Sequence, residues 1–324
     1  MGSSTRDEIL NKVLDHLICP RDRNELSGFK CPKCGTKYSE ARGFFKFLPE
    51  MIDKGKIQEK KRYDMLGSAR CLDDLDPHGG LYRRRILLNE ARVLAVIRAA
   101  HIENGQLILD VGCGGGAPTI SLMKKKQAHV VGIDLSDGAL DFIQIRAQKE
   151  RLRERLLLFQ ADAENMPFEA GLFDRIISFS SLEHVPHPSR FIEECVRVCR
   201  PMGYVSACTP NKTADVLRRL KPEIVKVAGL TSKKRMRRGG TVEGLPESPY
   251  HKEFTDKDLR LLFEKSGLVN VSTTFLIYLP TGIPHPLGTL MSMRSVAHLE
   301  SFLSKVPFFK NFSSLVVVSG RKPE

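Results

Sequence analysis

A glycine-rich turn directly after an apolar strand is the segment of this chain best suited to bind a cofactor. The apolar segment 107–109 leads into Asp110, and four glycines then occur between Gly112 and Gly116. Glycines let the backbone turn sharply and approach a ligand that side chains would block. The spacing also fits the G-x-G-x-x-A dinucleotide fingerprint, which would end at Ala117. Asp110 opposes that interpretation, because its carboxylate would repel a pyrophosphate but attract a cationic amino acid group.

Two further acidic residues follow the next two apolar segments. Asp134 follows the segment 130–133, and Asp162 comes shortly after the segment 156–159. Because the carboxyl ends of parallel strands meet at one edge of a sheet, we expect the three carboxylates to lie together. A solvated loop carboxylate is the alternative for each residue alone, but three acids at three successive strand ends favour a binding site. A carboxylate at the position of Asp134 can accept hydrogen bonds from the two hydroxyls of a bound ribose.

Several motifs follow one another in order between residues 110 and 205. They are Asp-Val-Gly-Cys-Gly-Gly-Gly at 110–116, Val-Val-Gly-Ile-Asp at 130–134, Ala-Asp-Ala-Glu-Asn-Met-Pro-Phe at 161–168, the segment 173–188 that begins Phe-Asp-Arg-Ile-Ile, and Val-Cys-Arg-Pro-Met-Gly-Tyr-Val at 198–205. Together they resemble the class I S-adenosylmethionine-dependent methyltransferases of the quinone and small-molecule type. S-adenosylmethionine carries the cationic amino acid group that Asp110 would attract. Several ordered motifs are specific evidence, whereas one glycine loop alone would be weak.

The resemblance implies a Rossmann-like methyltransferase fold. This is an α/β fold with a doubly wound, seven-stranded and mainly parallel sheet. Helices predicted at 119–126, 138–151 and 189–200 give the short crossovers that such a sheet requires. The sixth strand is predicted at 269–277, and the antiparallel seventh strand begins at Leu315.

The resemblance also implies which residues bind the cofactor and which one acts on the acceptor. The predicted cofactor site consists of Asp110, Gly112, Gly114, Asp134, Leu135, Asp162, Ala163 and Ser180. In the family pattern the side chain of Asp162 takes the adenine amino group, while the backbone of Ala163 faces the ring. His184 lies just beyond the fourth strand, near the expected methyl position, and is the predicted catalytic base because imidazole exchanges protons near neutral pH. The alternatives are that His184 only holds its loop, and that Glu183 orients the site.

Three cysteines and one aspartate near the N-terminus form a candidate metal site. Cys31 and Cys34 make a C-x-x-C knuckle, and Cys19 lies close by in a segment with few other means of forming a core. The segment resembles the small zinc-ribbon module of an activator subunit of tRNA and protein methyltransferases. Asp22 stands where that module often has a second cysteine, and a carboxylate can complete a tetrahedral zinc site, although more weakly. A metal-free module with buried thiols is the alternative.

The chain is predicted to have three regions. These are a zinc-ribbon-like module at 1–52, a helical connector and candidate lid at 53–103, and the methyltransferase domain at 104–324, with inserts at 211–253 and 278–312 over the ligand crevice. In the connector, Tyr63, Tyr82 and Arg83 are candidate lid residues. A tyrosine packed on an amphipathic helix is the plainer alternative.

The two inserts bear on the acceptor and the partners. The formal net charge is +13, and residues 211–240 contain ten basic and two acidic side chains. Such an insert suits an anionic group on the acceptor, peripheral contact with a membrane surface, RNA, or simply solvent. RNA is disfavoured because the chain has no Trp and only 7% aromatic residues for stacking on bases. The insert 278–312 is rich in Leu, Met and Phe, which suits a lipid-like acceptor.

We therefore expect a methyltransferase that acts on a small-molecule or lipid-like acceptor. The alternatives are an RNA methyltransferase, in which the basic insert and the ribbon bind RNA, and a non-catalytic cofactor-binding or partner-activating protein. A protein partner could dock on the N-terminal module. The sequence has no apolar run long enough for a membrane span and no secretory signal, so we expect a cytoplasmic location.

Overall fold

The computed structural model describes residues 5–49, 52–73, 80–213, 246–276 and 313–324. Its helices are α1 (Thr5–Leu14), α2 (Lys54–Asp73), α3 (Gly80–Ala99), α4 (Ala117–Lys125), α5 (Asp137–Lys149), α6 (Pro188–Val198) and α7 (Asp256–Lys265). Its strands are β1 (Ser39–Ala41), β2 (Phe44–Lys46), β3 (Leu107–Val111), β4 (His129–Asp134), β5 (Leu156–Gln160), β6 (Phe173–Phe179), β7 (Cys199–Pro210), β8 (Val269–Leu276) and β9 (Leu315–Arg321). None of the described helices is both long and apolar enough to cross a membrane.

The strands form one sheet in the order β1-β2-β5-β4-β3-β6-β7-β9-β8. The neighbours from β2 to β7 pair in parallel, whereas β1, β8 and β9 pair antiparallel to their neighbours. The sheet is therefore doubly wound and mainly parallel, as predicted. The predicted number of seven strands is wrong, because the N-terminal hairpin β1–β2 adds two strands to the edge of β5.

Alternate residues of the central strands fill the two faces of the sheet. On β3, Leu107 and Leu109 belong to one buried cluster, to which α6 and α7 contribute. Ile108 belongs to the other, to which α3, α4 and α5 contribute. A strand covered by helices on both faces must be apolar throughout, and this explains the continuous Leu-Ile-Leu run. The covering helices leave the carboxyl edge of the strands as the place for a ligand.

The N-terminal hairpin shares the core of the main sheet. Phe45 and Lys46 pair in parallel register with Phe159 and Gln160. The rings of Phe45 and Phe159 stack with centroids 4.9 Å apart, and Phe47 packs against Tyr38 at 4.5 Å. All four aromatic rings are buried in the same cluster as the strands β3 to β7. The predicted boundary at residue 52 therefore separates β2 from α2 along the chain without separating two cores.

A local sequence signal fixes the start of α7. Thr255 caps α7 with a capping box in which Asp258 bonds back to the backbone N–H of Thr255. Most of the predicted insert 211–253 and all of the predicted insert 278–312 lie outside the described residues.

Candidate active site

A cavity of about 820 Å³ lies at the carboxyl ends of strands β3, β4, β5 and β6. Every residue predicted for the cofactor site, together with the predicted base, lines it: Asp110, Gly112, Gly114, Asp134, Leu135, Asp162, Ala163, Ser180 and His184. The three acids that follow three different strands are thus brought into one cavity. Its volume lies in the upper part of the range found for small-molecule sites.

Asp110 lines this cavity and has a buried carboxylate. The residue is 1% exposed. Its Oδ2 atom accepts a hydrogen bond of 2.6 Å from Thr119, whereas Oδ1 is buried without a hydrogen-bond partner among the described residues. Burial raises the pKa of Asp110 to about 7, an effect that the Thr119 bond opposes and the charge of Asp134 reinforces. A buried acceptor without a donor is costly, and the ammonium group of S-adenosylmethionine would satisfy it.

The glycine turn leaves room where side chains would stand. At Gly112, φ is +73°, and a Cβ atom there would collide with the side chain of Ser181. At Gly114, φ is +52°, and a Cβ atom would meet nothing within 4 Å. Both backbone conformations favour glycine. The space beside Gly114 is therefore cavity that a ligand can approach closely.

Asp134 is held in place by backbone donors. Its Oδ2 atom accepts a hydrogen bond of 2.8 Å from the N–H of Gly114, and Oδ1 accepts one of 2.9 Å from the N–H of Ser136. Burial raises its pKa, although hydrogen bonds from the backbone N–H groups of Ser136, Gly114 and Leu135 oppose the shift. The carboxylate lies in the cavity at the place predicted for a ribose.

Asp162 is engaged by a residue that the sequence did not indicate. The ammonium group of Lys56, on α2, lies 2.7 Å from Asp162 Oδ2 and 2.6 Å from Glu164 Oε2. Asn165 donates to the same Oδ2 atom, and the backbone N–H of Glu164 donates to Oδ1. Burial disfavours the ammonium ion, but the two carboxylates raise the pKa of Lys56 overall. Asp162 Oδ1 keeps one lone pair for the predicted adenine amino group.

Helix α2 forms one wall of the cavity and is fastened to the start of α5. Asp64 accepts hydrogen bonds of 2.6 Å from Ser136 Oγ and 3.1 Å from the N–H of Gly138. Lys60 lies 2.9 Å from Asp64 and 3.1 Å from Asp137. Burial opposes the charge on Asp64, but the bonds from Ser136 and Lys60 lower its pKa. Of the α2 residues that line the cavity, the sequence indicated only Tyr63, which is a candidate lid residue.

His184 follows β6 in a short 3-10 turn and lies beside α2. Its ring packs edge-on against that of Tyr63, with centroids 5.8 Å apart, and against that of His251 at 5.4 Å. Burial raises the pKa of Tyr63 above its usual range. The side chain of His184 is 18% exposed, so it is sheltered yet reachable from the cavity.

Glu183, the other residue considered for this part of the site, points its carboxylate elsewhere. It is 1% exposed and accepts a hydrogen bond of 3.0 Å from Thr209 on β7. Burial raises its pKa. It is not among the residues that line the cavity. Of the two neighbours, His184 is therefore the one placed to meet an acceptor.

The four predicted metal ligands lie together in the N-terminal module. The ligand atoms of Cys19, Asp22, Cys31 and Cys34 are all within 4.8 Å of one another. The sulfur atoms of Cys19 and Cys34 are 3.7 Å apart, and Cys31 Sγ is 3.4 Å from both oxygens of Asp22. The backbone N–H of Cys34 donates to the Cys31 sulfur at 3.4 Å. In a tetrahedral zinc site two thiolates bound at about 2.3 Å stand about 3.8 Å apart, so the separation of the Cys19 and Cys34 sulfur atoms would suit zinc.

Comparison with known proteins agrees with this geometry. Residues 109–207 match the family model described as a methyltransferase domain. The ubiquinone biosynthesis O-methyltransferase of Vibrio campbellii is 26% identical over 255 residues, which cover 78% of this chain and 97% of that protein. The sterol 24-C-methyltransferase ERG6B of Gibberella zeae is 34% identical over 217 residues, which cover 61% of this chain and 57% of that protein.

One solved structure reports on the fold alone. The [4+2]-cyclase SpnF has a TM-score of 0.54 and 16% identity to this chain, and the match covers 84% of this chain and 98% of that one. Fold likeness at this identity leaves the reaction open, because one fold supports many activities.

The doubly wound sheet, the matched domain and the methyltransferase relatives support a class I methyltransferase. The chain is an S-adenosylmethionine-dependent methyltransferase with a small-molecule acceptor. The alternative of a non-catalytic cofactor-binding protein is thereby set aside.

Proposed function

We propose that this enzyme transfers a methyl group to a hydroxyl group of a small, largely apolar molecule. The observation that carries the proposal is one cavity in which the three carboxylates of the cofactor site lie together with an imidazole, that of His184. A base is needed when the acceptor must lose a proton for the methyl group to be transferred. A hydroxyl group must lose its proton, whereas a nucleophilic carbon often need not lose one at the outset. The name of the Vibrio relative, which aligns over nearly its full length, also points to an oxygen acceptor.

Each of these cavity residues has its own proposed role in binding or catalysis. S-adenosylmethionine, when bound, supplies a methyl group on a positively charged sulfur. Asp110 would hold its ammonium group, Asp134 its ribose hydroxyls and Asp162 its adenine amino group. His184 would accept the proton of the acceptor hydroxyl, while the oxygen lone pair forms the new bond to carbon and the carbon–sulfur bond breaks. Holding the two reactants in line and away from water supplies most of the remaining rate enhancement.

The names of the relatives and the composition of the two inserts support a lipid-like acceptor. The two relatives are named for a quinone and for a sterol, which are both largely apolar molecules. The sequence 278–312 is rich in Leu, Met and Phe, a composition that suits an apolar acceptor. The basic residues of 211–240 would suit an anionic group on the same acceptor.

The acceptor can be tested directly with the purified full chain. We would incubate it with S-adenosylmethionine and, separately, a prenylated catechol, catechol itself, a sterol and total tRNA, and would measure S-adenosylhomocysteine and product mass. The proposal expects turnover with the prenylated catechol and less with catechol. Turnover with the sterol or tRNA alone would replace the proposed acceptor.

We also propose that Cys19, Asp22, Cys31 and Cys34 hold a structural zinc ion. Four potential ligands with tetrahedral spacing, and a backbone N–H directed at one sulfur, support this proposal. Because the module packs on β5 within the same chain, its proposed role is to stabilise the catalytic sheet rather than to recruit a separate subunit.

Metal content would test the zinc proposal. Mass spectrometry of the purified chain should find about one equivalent of zinc, and Cys31→Ser should lose it. Cys195→Ser is the matched control, because that cysteine is buried in the core away from the cluster. A wild-type chain purified without chelator but free of zinc would contradict the proposal.

A further inference from the structure

Two residues far apart in the sequence meet at one nitrogen of His184. Ser248 Oγ lies 3.1 Å from His184 Nδ1 and also forms a hydrogen bond with Glu59 Oε1 on α2. Glu59 Oε1 is itself 3.6 Å from Nδ1, too far for a direct hydrogen bond. The serine therefore bridges the carboxylate and the imidazole, and the three groups form a single hydrogen-bonded chain.

The number of protons in this hydrogen-bonded chain fixes which group donates to which. Glu59 is 3% exposed, and its second oxygen forms an ion pair with the guanidinium of Arg62 at 3.9 Å. A carboxylate can only accept, so the one hydroxyl proton of Ser248 must point to Glu59. The Ser248 oxygen can then only accept from His184, and Nδ1 must carry a proton.

We infer that Glu59 and Ser248 are positioning residues that hold neutral His184 as its Nδ1–H tautomer, leaving Nε2 free to remove the acceptor proton. No described residue hydrogen-bonds Nε2, and the His184 side chain lines the cavity. This inference rests on the proposed function for the use of the free nitrogen, whereas the tautomer itself follows from the hydrogen-bonded chain alone. When His184 gains a proton, the charge of Glu59 would stabilise the imidazolium through the serine.

Helix α2 contacts both the predicted adenine site and, through Ser248, the predicted base. Lys56 reaches the acid predicted to bind adenine, and Glu59, less than one turn later, reaches the predicted base through Ser248. Undocking of α2 would remove both contacts together. The hydrogen bonds that select the Nδ1–H tautomer of His184 would then be present only while α2 is docked.

Nitrogen NMR of the full chain labelled with [15N]histidine tests the tautomer without any acceptor. His184→Gln identifies the signals of residue 184, and spectra are recorded at alkaline pH, where the ring is neutral. Wild type should show protonated Nδ1 and unprotonated Nε2. Ser248→Ala should lose this pattern, and Ser248→Thr, which keeps the hydroxyl, should retain it.

Controls separate this inference from folding and from the proposed function. Glu247→Gln alters an exposed neighbour and should leave the pattern unchanged, and calorimetric S-adenosylmethionine affinity close to wild type would show that Ser248→Ala is folded. Protonated Nε2 in wild type would overturn the inference, whatever the enzyme methylates. Correct tautomers combined with full turnover by His184→Gln would uphold the assignment but refute the base proposed for this enzyme.

Discussion

Asp110 places a carboxylate in the cofactor site where burial disfavours its charge. Its buried carboxylate has one oxygen bonded to Thr119 and one without a donor among the described residues, and burial raises its pKa to about 7. A bound cation would favour the ionised form. Cofactor binding should therefore be linked to release of a proton from this residue near neutral pH.

Replacement of Asp110 tests that linkage. Asp110→Asn keeps the shape but removes the charge, and we expect S-adenosylmethionine to bind about 10- to 100-fold more weakly, since a hydrogen bond to a charged group contributes ~1.5–3 kcal/mol. Wild-type affinity should fall as the pH drops below about 7, because the proton must then be displaced. The variant should lose this pH dependence. Calorimetric titrations across pH measure both effects, with the exposed Asp15→Asn as the control.

The proposed base makes a prediction about acceptor acidity. His184→Gln should reduce turnover of catechol by about 100-fold or more, in the range found for general-base catalysis. The loss should be much smaller with 4-nitrocatechol, because its hydroxyl is already ionised at neutral pH. Steady-state rates with both acceptors measure the difference. Equal losses would mean that His184 positions the acceptor without removing its proton.

At the scale of single residues, the sequence predicted the acids but not their partners. Asp110, Asp134 and Asp162 could be found because the end of each buried strand is visible in the hydrophobic pattern. Lys56 and Glu59 could not, because they stand in a charged run that is typical of a solvated surface. Their burial depends on α2 docking against loops more than 100 residues away, and no local pattern reports that contact.

Helix α2 shows the same limit at the scale of an element. The sequence predicts a helical connector at 53–103, but the charged run 54–61 does not indicate where that helix packs; in the structure the run begins a helix that forms a cavity wall. Lys56 is 7% exposed and lies between two carboxylates. The helix is therefore held by ion pairs in a sheltered setting, where each charge depends on its partner.

Removal of Lys56 should destabilise the chain. Lys56→Met leaves Asp162 and Glu164 buried without their cation, and loss of one member of a buried ion pair typically costs ~3–5 kcal/mol. Urea unfolding followed by circular dichroism measures the change in the free energy of unfolding. Lys257→Met, an exposed lysine of α7, is the control. A change no larger than that of the control would show that α2 is not held by this pair.

At the scale of the whole molecule, the N-terminal module and the catalytic sheet are one folding core. The motifs predicted a doubly wound, mainly parallel sheet because its central strands are apolar runs. They missed the two extra strands, since β1 and β2 have only three residues each and β2 pairs with an edge more than 100 residues later. Such pairing is set by tertiary packing of Phe45 and Phe47, which no short pattern specifies.

The shared core predicts a single unfolding transition. Phe45→Ala removes a buried ring that stacks on Phe159, and we expect a loss of ~3–5 kcal/mol in the stability of the entire chain. Differential scanning calorimetry should show one transition at a lower temperature. Leu261→Ala, at a half-exposed position of α7, should have little effect. Two separate transitions would mean that the module and the sheet fold independently.

The parallel pairing of β2 with β5 also fixes the ratio of the N-terminal hairpin to the catalytic sheet at one to one. Every catalytic sheet carries its own N-terminal hairpin, joined by the peptide chain, so dilution cannot separate them and no encounter between two polypeptides is needed. An assembly of separate chains would lose its accessory part at low concentration and compete for it with other clients. In this enzyme the contribution of the hairpin is independent of protein concentration and cannot be shared.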